Sequence, residues 1–172
     1  MATPPNPSDV RQRVRAIYAA ADAAVVAAGP RCDASGRCCR FAEYGHTLFI
    51  SQLEADVLLA DAPPYDGPVT PDACPFQVGH LCTAREPRPL GCRVYFCDPA
   101  YQETGQRISE TYLRQLKDLA DELGVGWRYA PLHTFLASRE RERPVDWKSK
   151  TSKPPVAHAP GSPDRVALPL VE

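Results

Sequence analysis

No long apolar run occurs in this 172-residue sequence, and its formal net charge is only −1. The most apolar stretch, 16–29, is dominated by alanine, carries Asp22, and is too short to cross a bilayer. No block of like charge is present, so nothing draws the chain to nucleic acid or to an anionic membrane. Residues 1–9 are polar and proline-rich, without the basic start and apolar segment of a secretory signal. A cytoplasmic protein is therefore the expectation. Motifs of several enzyme classes are also missing: there is no G-x-S-x-G, no P-loop, no H-E-x-x-H and no G-x-G-x-x-G. Histidines number four, and no C-x2-C occurs, which excludes an ordinary zinc ribbon or finger.

What is present is cysteine. Cys32, Cys38, Cys39, Cys74, Cys82, Cys92 and Cys97 fall in one 66-residue window, and no cysteine lies outside it. Cysteines used as small buried hydrophobes would be scattered. In a reducing compartment disulfides seldom persist, and seven is an odd number, so the clustering points to metal or redox chemistry. All seven are candidate ligands. Cys32 with Cys38 or Cys39 makes one plausible pair and Cys92 with Cys97 another, on the two-pair logic of tetrahedral zinc. Adjacent Cys38 and Cys39 can reach one ion only if the backbone turns sharply between them; a polynuclear centre or two sites would take them more easily. Thiolates select zinc, iron–sulfur or Cu(I) over harder ions. Arg31, Arg37, Arg40, Arg85, Arg88 and Arg93 flank the cysteines, and cationic neighbours favour the thiolate. A general preference for arginine, sixteen against four lysines, is the bland alternative. Arg88 and Arg93 are the groups expected to stand directly behind the ligands. Among histidines, His80 is the best placed to join them, and His46 less so.

The rest of the chain predicts a small α-rich domain with minor β over 8–138. Helices are expected to pack around an irregular, cysteine-rich metal-binding loop core. Ser8 and Asp9 can cap a helix running to Ala28 and stopped by Gly29-Pro30. Its stripe of Val10, Val14, Ile17, Tyr18, Ala21 and Val25 reads as core-facing, with a partner-binding face as the alternative. Residues 46–50 read as a short strand, and Ser51-Gln-Leu-Glu54 is a capping box opening a helix to Asp61. Residues 62–91, rich in proline, are expected to lack regular elements. A second helix stripe, Ile108, Tyr112, Leu116, Leu119 and Leu123, covers 106–123 and stops at Gly124. A strand at 127–130 and a short helix at 132–138 follow. A lead-in at 1–7 and a charged, proline-rich tail at 139–172 are expected to be disordered.

Cys32-Asp-Ala-Ser-Gly-Arg-Cys38-Cys39 resembles the C-x-x-C-x-x-C-C opening of the YkgJ-like cysteine-cluster family, described as zinc- or iron-chelating. The resemblance continues through Ile50-Ser51 with Glu54 and through Cys74-Pro75-Phe76. It is strongest in Cys82-x5-Arg88-Pro89-x2-Cys92-Arg93-x3-Cys97, and covers roughly residues 31–98. Ser35 departs from it, standing where the family's opening has a second cysteine; the opening is one thiolate short, as in a site with an open coordination position. The resemblance implies zinc or iron, including an iron–sulfur centre, held by thiolates. A flagellin lysine N-methylase with a similar cluster implies that an enzyme modifying a protein side chain can be built around it. A thiol redox protein cycling Cys38-Cys39 or Cys92/Cys97 is the third reading, weakened by the lack of C-x-x-C and of a βαβ setting.

Overall fold

Helix-forming and helix-stopping residues fall largely where the periodicity requires, and the elements follow from them. The computed structural model describes residues 5–65 and 68–142; residues 1–4 and 143–172, which hold most of the expected lead-in and tail, lie outside them. Helix α1 spans Pro7–Ala28. It begins just before the predicted caps because the Asn6 side chain accepts from Ser8 N at 3.0 Å and Pro7 fits the first helical turn. Gly29, at φ 62°, closes it in the left-handed conformation. Strand β1, Phe49–Ser51, leads into α2, Gln52–Asp61, through the expected capping box. Helix α4 spans Gln102–Glu122 and starts four residues before the prediction. Asp98 and Pro99 nucleate a 3₁₀ turn, Pro99–Tyr101, that runs straight into it, with Asp98 accepting from Ala100 N at 3.0 Å. Strand β4, Tyr129–Pro131, and helix α5, Leu132–Glu142, complete the described chain. Helix α5 runs past residue 138, into the start of the expected tail.

The proline-rich stretch is less irregular than predicted. Gln77–Val78 (β2) and Leu81–Cys82 (β3) form an antiparallel two-stranded hairpin, and Leu90–Val94 forms the short helix α3. Gly79 at φ 63° makes the tight turn possible. The other sheet pairs β1 with β4, antiparallel, with Ile50 opposite Ala130. The fold is thus helix-rich with minor antiparallel strands. Among the described residues no helix is long and apolar enough to cross a membrane.

Two apolar clusters hold these elements. One packs the α1 stripe of Val10, Val14, Tyr18, Ala21 and Val25 against Leu53, Val57, Leu90, Val94, Leu116 and Leu119. The other gathers Phe41, Ile50, Leu58, Phe76, Leu132, Phe135 and Leu136, and includes Cys39 and Cys74. Glu54 joins the two regions. It is 1% exposed, and its carboxylate accepts from Ser51 N, Ser51 Oγ and Leu90 N, each at 2.8 Å, tying the start of α2 to the start of α3. Burial pushes its pKa above the usual carboxylate range, and the hydrogen bonds from Ser51 and Leu90 oppose that rise.

Candidate metal centre

Two loops distant in sequence are zipped together at the cysteines. Gly36, at φ 72°, introduces a 3₁₀ turn, Arg37–Cys39, closed by Cys39 N to Gly36 O at 3.2 Å. Cys74 N donates to Cys39 O at 2.8 Å, and Ala42 N to Asp72 O at 2.9 Å. Gln77 Nε2 donates to Gly36 O at 3.0 Å. A Cβ at residue 36 would press on the Gln77 side chain and meet the His80 backbone at 3.1 Å, so the close approach needs glycine. The β2–β3 register then sets Cys82 opposite Gln77, on the same side of the junction.

Cys38, Cys39, Cys74 and Cys82 are brought into one neighbourhood there. Cys38 Sγ and Cys39 Sγ stand 3.9 Å apart, because the 3₁₀ turn supplies the sharp bend that neighbouring cysteines require. Cys74 and Cys82 lie near enough to Cys39 to act on its thiol. The consequences are electrostatic. Cys39, the largest influence on each, pulls Cys38 down to about 6, helped by Arg88 and His46, and pulls Cys82 down to about 6, helped by the Ala84 amide and Arg88. Cys39 is pushed strongly the other way by its three sulfur partners, which keep the proton on it. Cys92, on α3, is raised by burial and by the charges of Cys74, Cys82 and Cys38, and Arg88 opposes that rise. Cys92 therefore borders the group.

Cys32 and Cys97 are exposed. Their segments are tied, since Arg31 N donates to Asp98 Oδ2 at 3.0 Å. All seven cysteines are free thiols. Among the described residues, no group of three or more His, Cys, Asp or Glu is positioned as a ready-made metal site.

The two expected arginines separate. Arg88 lies near enough for its charge to favour the Cys38 and Cys82 thiolates, and its buried Nε lacks a hydrogen-bond partner. Arg93 turns away: it is 8% exposed, pairs with Asp22 at 2.6 Å, donates to the carbonyls of Arg88 (2.9 Å) and Glu86, and lies 4.4 Å over the Tyr18 ring. Arg40 holds Ser35 O at 3.0 Å and pairs with Glu43, fixing the loop that carries the serine. His80 is exposed at the hairpin tip. His46, which spacing ranked lower, is the histidine beside the thiols: its Nε2 meets Cys38 O at 3.3 Å and its ring stacks on Tyr95 at 5.0 Å. Linear distance hid it, since Phe41 O, accepting from His46 N at 3.1 Å, folds the segment back. No protein-family model matches this chain, and no curated protein or solved structure matches it either.

Proposed function

We propose that this protein binds zinc or iron, the latter as an ion or an iron–sulfur centre, through thiolates of Cys38, Cys39, Cys74 and Cys82, with Cys92 alongside. The observation that carries the reading is the meeting of two distant loops at their cysteines: the 3₁₀ turn sets Cys38 Sγ and Cys39 Sγ 3.9 Å apart, and Cys74 N donates to Cys39 O at 2.8 Å. Cys38 and Cys82, both held below the ordinary thiol value, supply the thiolate ligands that soft cations select. The spacing also suits the donor set. A tetrahedral site with Zn–S of about 2.3 Å separates its sulfurs by about 3.8 Å, and Cys38 and Cys39 are 3.9 Å apart. Arg88 would offset the negative charge of such a centre. Cys32 and Cys97 are the remaining candidates, for a second metal or a larger cluster. The resemblance of residues 31–98 to the YkgJ-like family agrees in metal class, and seven unpaired thiols suit a reducing cytoplasm.

The test is anaerobic purification followed by metal analysis and a visible spectrum. Zinc without colour, or iron with acid-labile sulfide and brown colour, supports the proposal and selects between the metals. In either case Cys39→Ser and Cys74→Ser should abolish metal retention. A metal-free protein that takes up neither Zn(II) nor Fe(II) sinks it.

A further inference from the structure

Cysteine is among the residue types most often buried, yet Cys32 and Cys97 are free thiols on the surface. Both are held in place. The bond from Arg31 N to Asp98 Oδ2, 3.0 Å, ties the loop leaving α1 to the turn entering α4, and each cysteine stands one residue from it. The other Asp98 oxygen accepts from Ala100 N at 3.0 Å, which fixes the carboxylate that makes the tie. Gln102 Nε2 donates to Phe96 O at 3.0 Å and to Asp98 O at 3.1 Å, bracing the backbone on both sides of Cys97. The loop from Cys32 to Cys38 turns through two left-handed residues, Ala34 at φ 49° and Gly36 at φ 72°. For alanine that conformation is uncommon and persists only where its surroundings enforce it. Two exposed thiols on braced, mutually bonded segments are a feature the four-thiol centre does not use.

Both segments lead inward to that centre. Cys97 lies near enough to the Tyr95 hydroxyl to act on it, and so does Cys38. Tyr95 and Cys38 also share the lining of one cleft of about 600 Å³. From Cys38 the next sulfur, Cys39 Sγ, is 3.9 Å away. Exposure falls along the same series: Cys32 and Cys97 are exposed, Cys38 is half-buried, and Cys39 and Cys74 are buried. A soft ion in a reducing solution travels bound to thiolates, and a divalent ion with two of them is neutral by simple charge counting. To take the ion from such a carrier, a protein sulfur must reach it, and access governs attack by thiolates. The buried thiols lack that access; the exposed pair has it.

We propose that Cys32 and Cys97 form a transfer site, which accepts a soft divalent ion from a small-molecule thiol complex and passes it to Cys38. This role presupposes the metal centre proposed above. Each step exchanges one sulfur for another. A bond from the ion to a carrier sulfur breaks as a bond to a protein sulfur forms, the proton of the entering thiol goes to the departing thiolate, and no electron moves. Transfer onward to Cys38 and its neighbours repeats the exchange, returns protons to Cys32 and Cys97, and frees the pair for the next ion. The two cysteines thus serve loading and are absent from the loaded centre.

The test compares chelator-treated parent protein with Cys32→Ser/Cys97→Ser. Each is mixed with zinc held by dithiothreitol, or with ferrous iron held the same way where the parent retains iron, and protein-bound metal is measured at timed intervals after gel filtration. Equal final metal per chain is expected, with loading of the variant slower by about tenfold. In the loaded parent protein phenylarsine oxide, which needs two thiols within reach, should bridge Cys32 to Cys97 by peptide mapping, and either single serine variant should prevent it. Lower final metal in the double variant makes these cysteines resident ligands and overturns the transfer role. Equal loading rates, or no arsenical bridge, overturn it and leave the metal centre intact. A parent protein that takes up neither ion overturns the centre, and transfer with it.

Discussion

Arg93 adjoins Cys92 in sequence but serves the fold, and Arg93→Met measures that separation. Its guanidinium donates to two backbone carbonyls, of Arg88 and Glu86, in a setting where the residue is 8% exposed. Losing each bond costs about 1–1.5 kcal/mol, because the carbonyl loses its partner. The Asp22 side chain is 41% exposed and rehydrates, so that ion pair is discounted to about 0.5 kcal/mol. Removing the charge from over the Tyr18 ring, 4.4 Å away, costs about 1 kcal/mol. Methionine restores the apolar stem and returns about 1 kcal/mol of packing. The net loss is about 3 kcal/mol, a large share of the about 5–15 kcal/mol that holds a typical domain. With a urea slope of about 2 kcal/mol per M, the midpoint should fall by about 1.5 M. Urea unfolding followed by circular dichroism reads this, and metal analysis of the folded variant should match the parent protein. A midpoint shift under about 0.5 M refutes the packing argument. Metal loss like that of Cys39→Ser would falsify the assignment of Arg93 to the fold rather than the centre.

Other outcomes follow from the same geometry. Chelator-treated protein should show thiolate absorbance near 240 nm rising with a midpoint near pH 6, from Cys38 and Cys82, and Arg88→Met should move it upward; a first midpoint at the ordinary thiol value contradicts the cluster. Because both folded pKa values lie below the unfolded value of 9.0, these two groups stabilise the metal-free fold fully above pH 9 and lose that contribution as pH falls through 6. Cys39 is shifted upward, so its contribution is full below pH 9 and fades above, and urea midpoints across pH 5–10 should show both limbs. Glu54→Ala leaves the Ser51 and Leu90 amides without their acceptor and should destabilise by about 3 kcal/mol, read as a fall in urea midpoint. Gly36→Ala should cost about 1–2 kcal/mol from its positive φ and its crowding by His80, and should also weaken metal retention by parting the two loops.

Helices α1 and α4 are legible because each carries a 3.6-residue stripe that ends at a glycine, and α2 because its capping box marks its start. The capping box at Ser51 and Glu54 even announces the buried carboxylate, though not that it also accepts from Leu90. Helix α4 starts ahead of its apolar stripe because Asp98-Pro99 caps a 3₁₀ turn, which leaves no periodicity to read. The β2–β3 hairpin was missed because proline density masked two-residue strands, which carry no periodicity. At the site, cysteine clustering marked the window but not which thiols meet. That depends on backbone bonds between residues 39 and 74 and between 42 and 72, and such pairings leave no local trace. Sequence distance likewise favours His80 over His46 and gives Arg88 and Arg93 the same expected place, whereas Arg93 is spent on Asp22 and on the carbonyls of Glu86 and Arg88.

The position of the thiols within the packing links folding to the centre. Cys39 and Cys74 belong to the same apolar cluster as Phe41, Phe76 and Phe135, while Cys38 and Cys82 sit at its edge. The irregular segments that carry them are held by only a handful of backbone bonds. A cation binding all four would cancel the charge and cross-link segments 36–42 and 72–82 at once, so that much of its binding energy would appear as folding energy. The helical cluster around α1 and α4 shares none of these sulfurs. Removing the ion should therefore loosen the loop half of the domain first, leaving the helix pair standing.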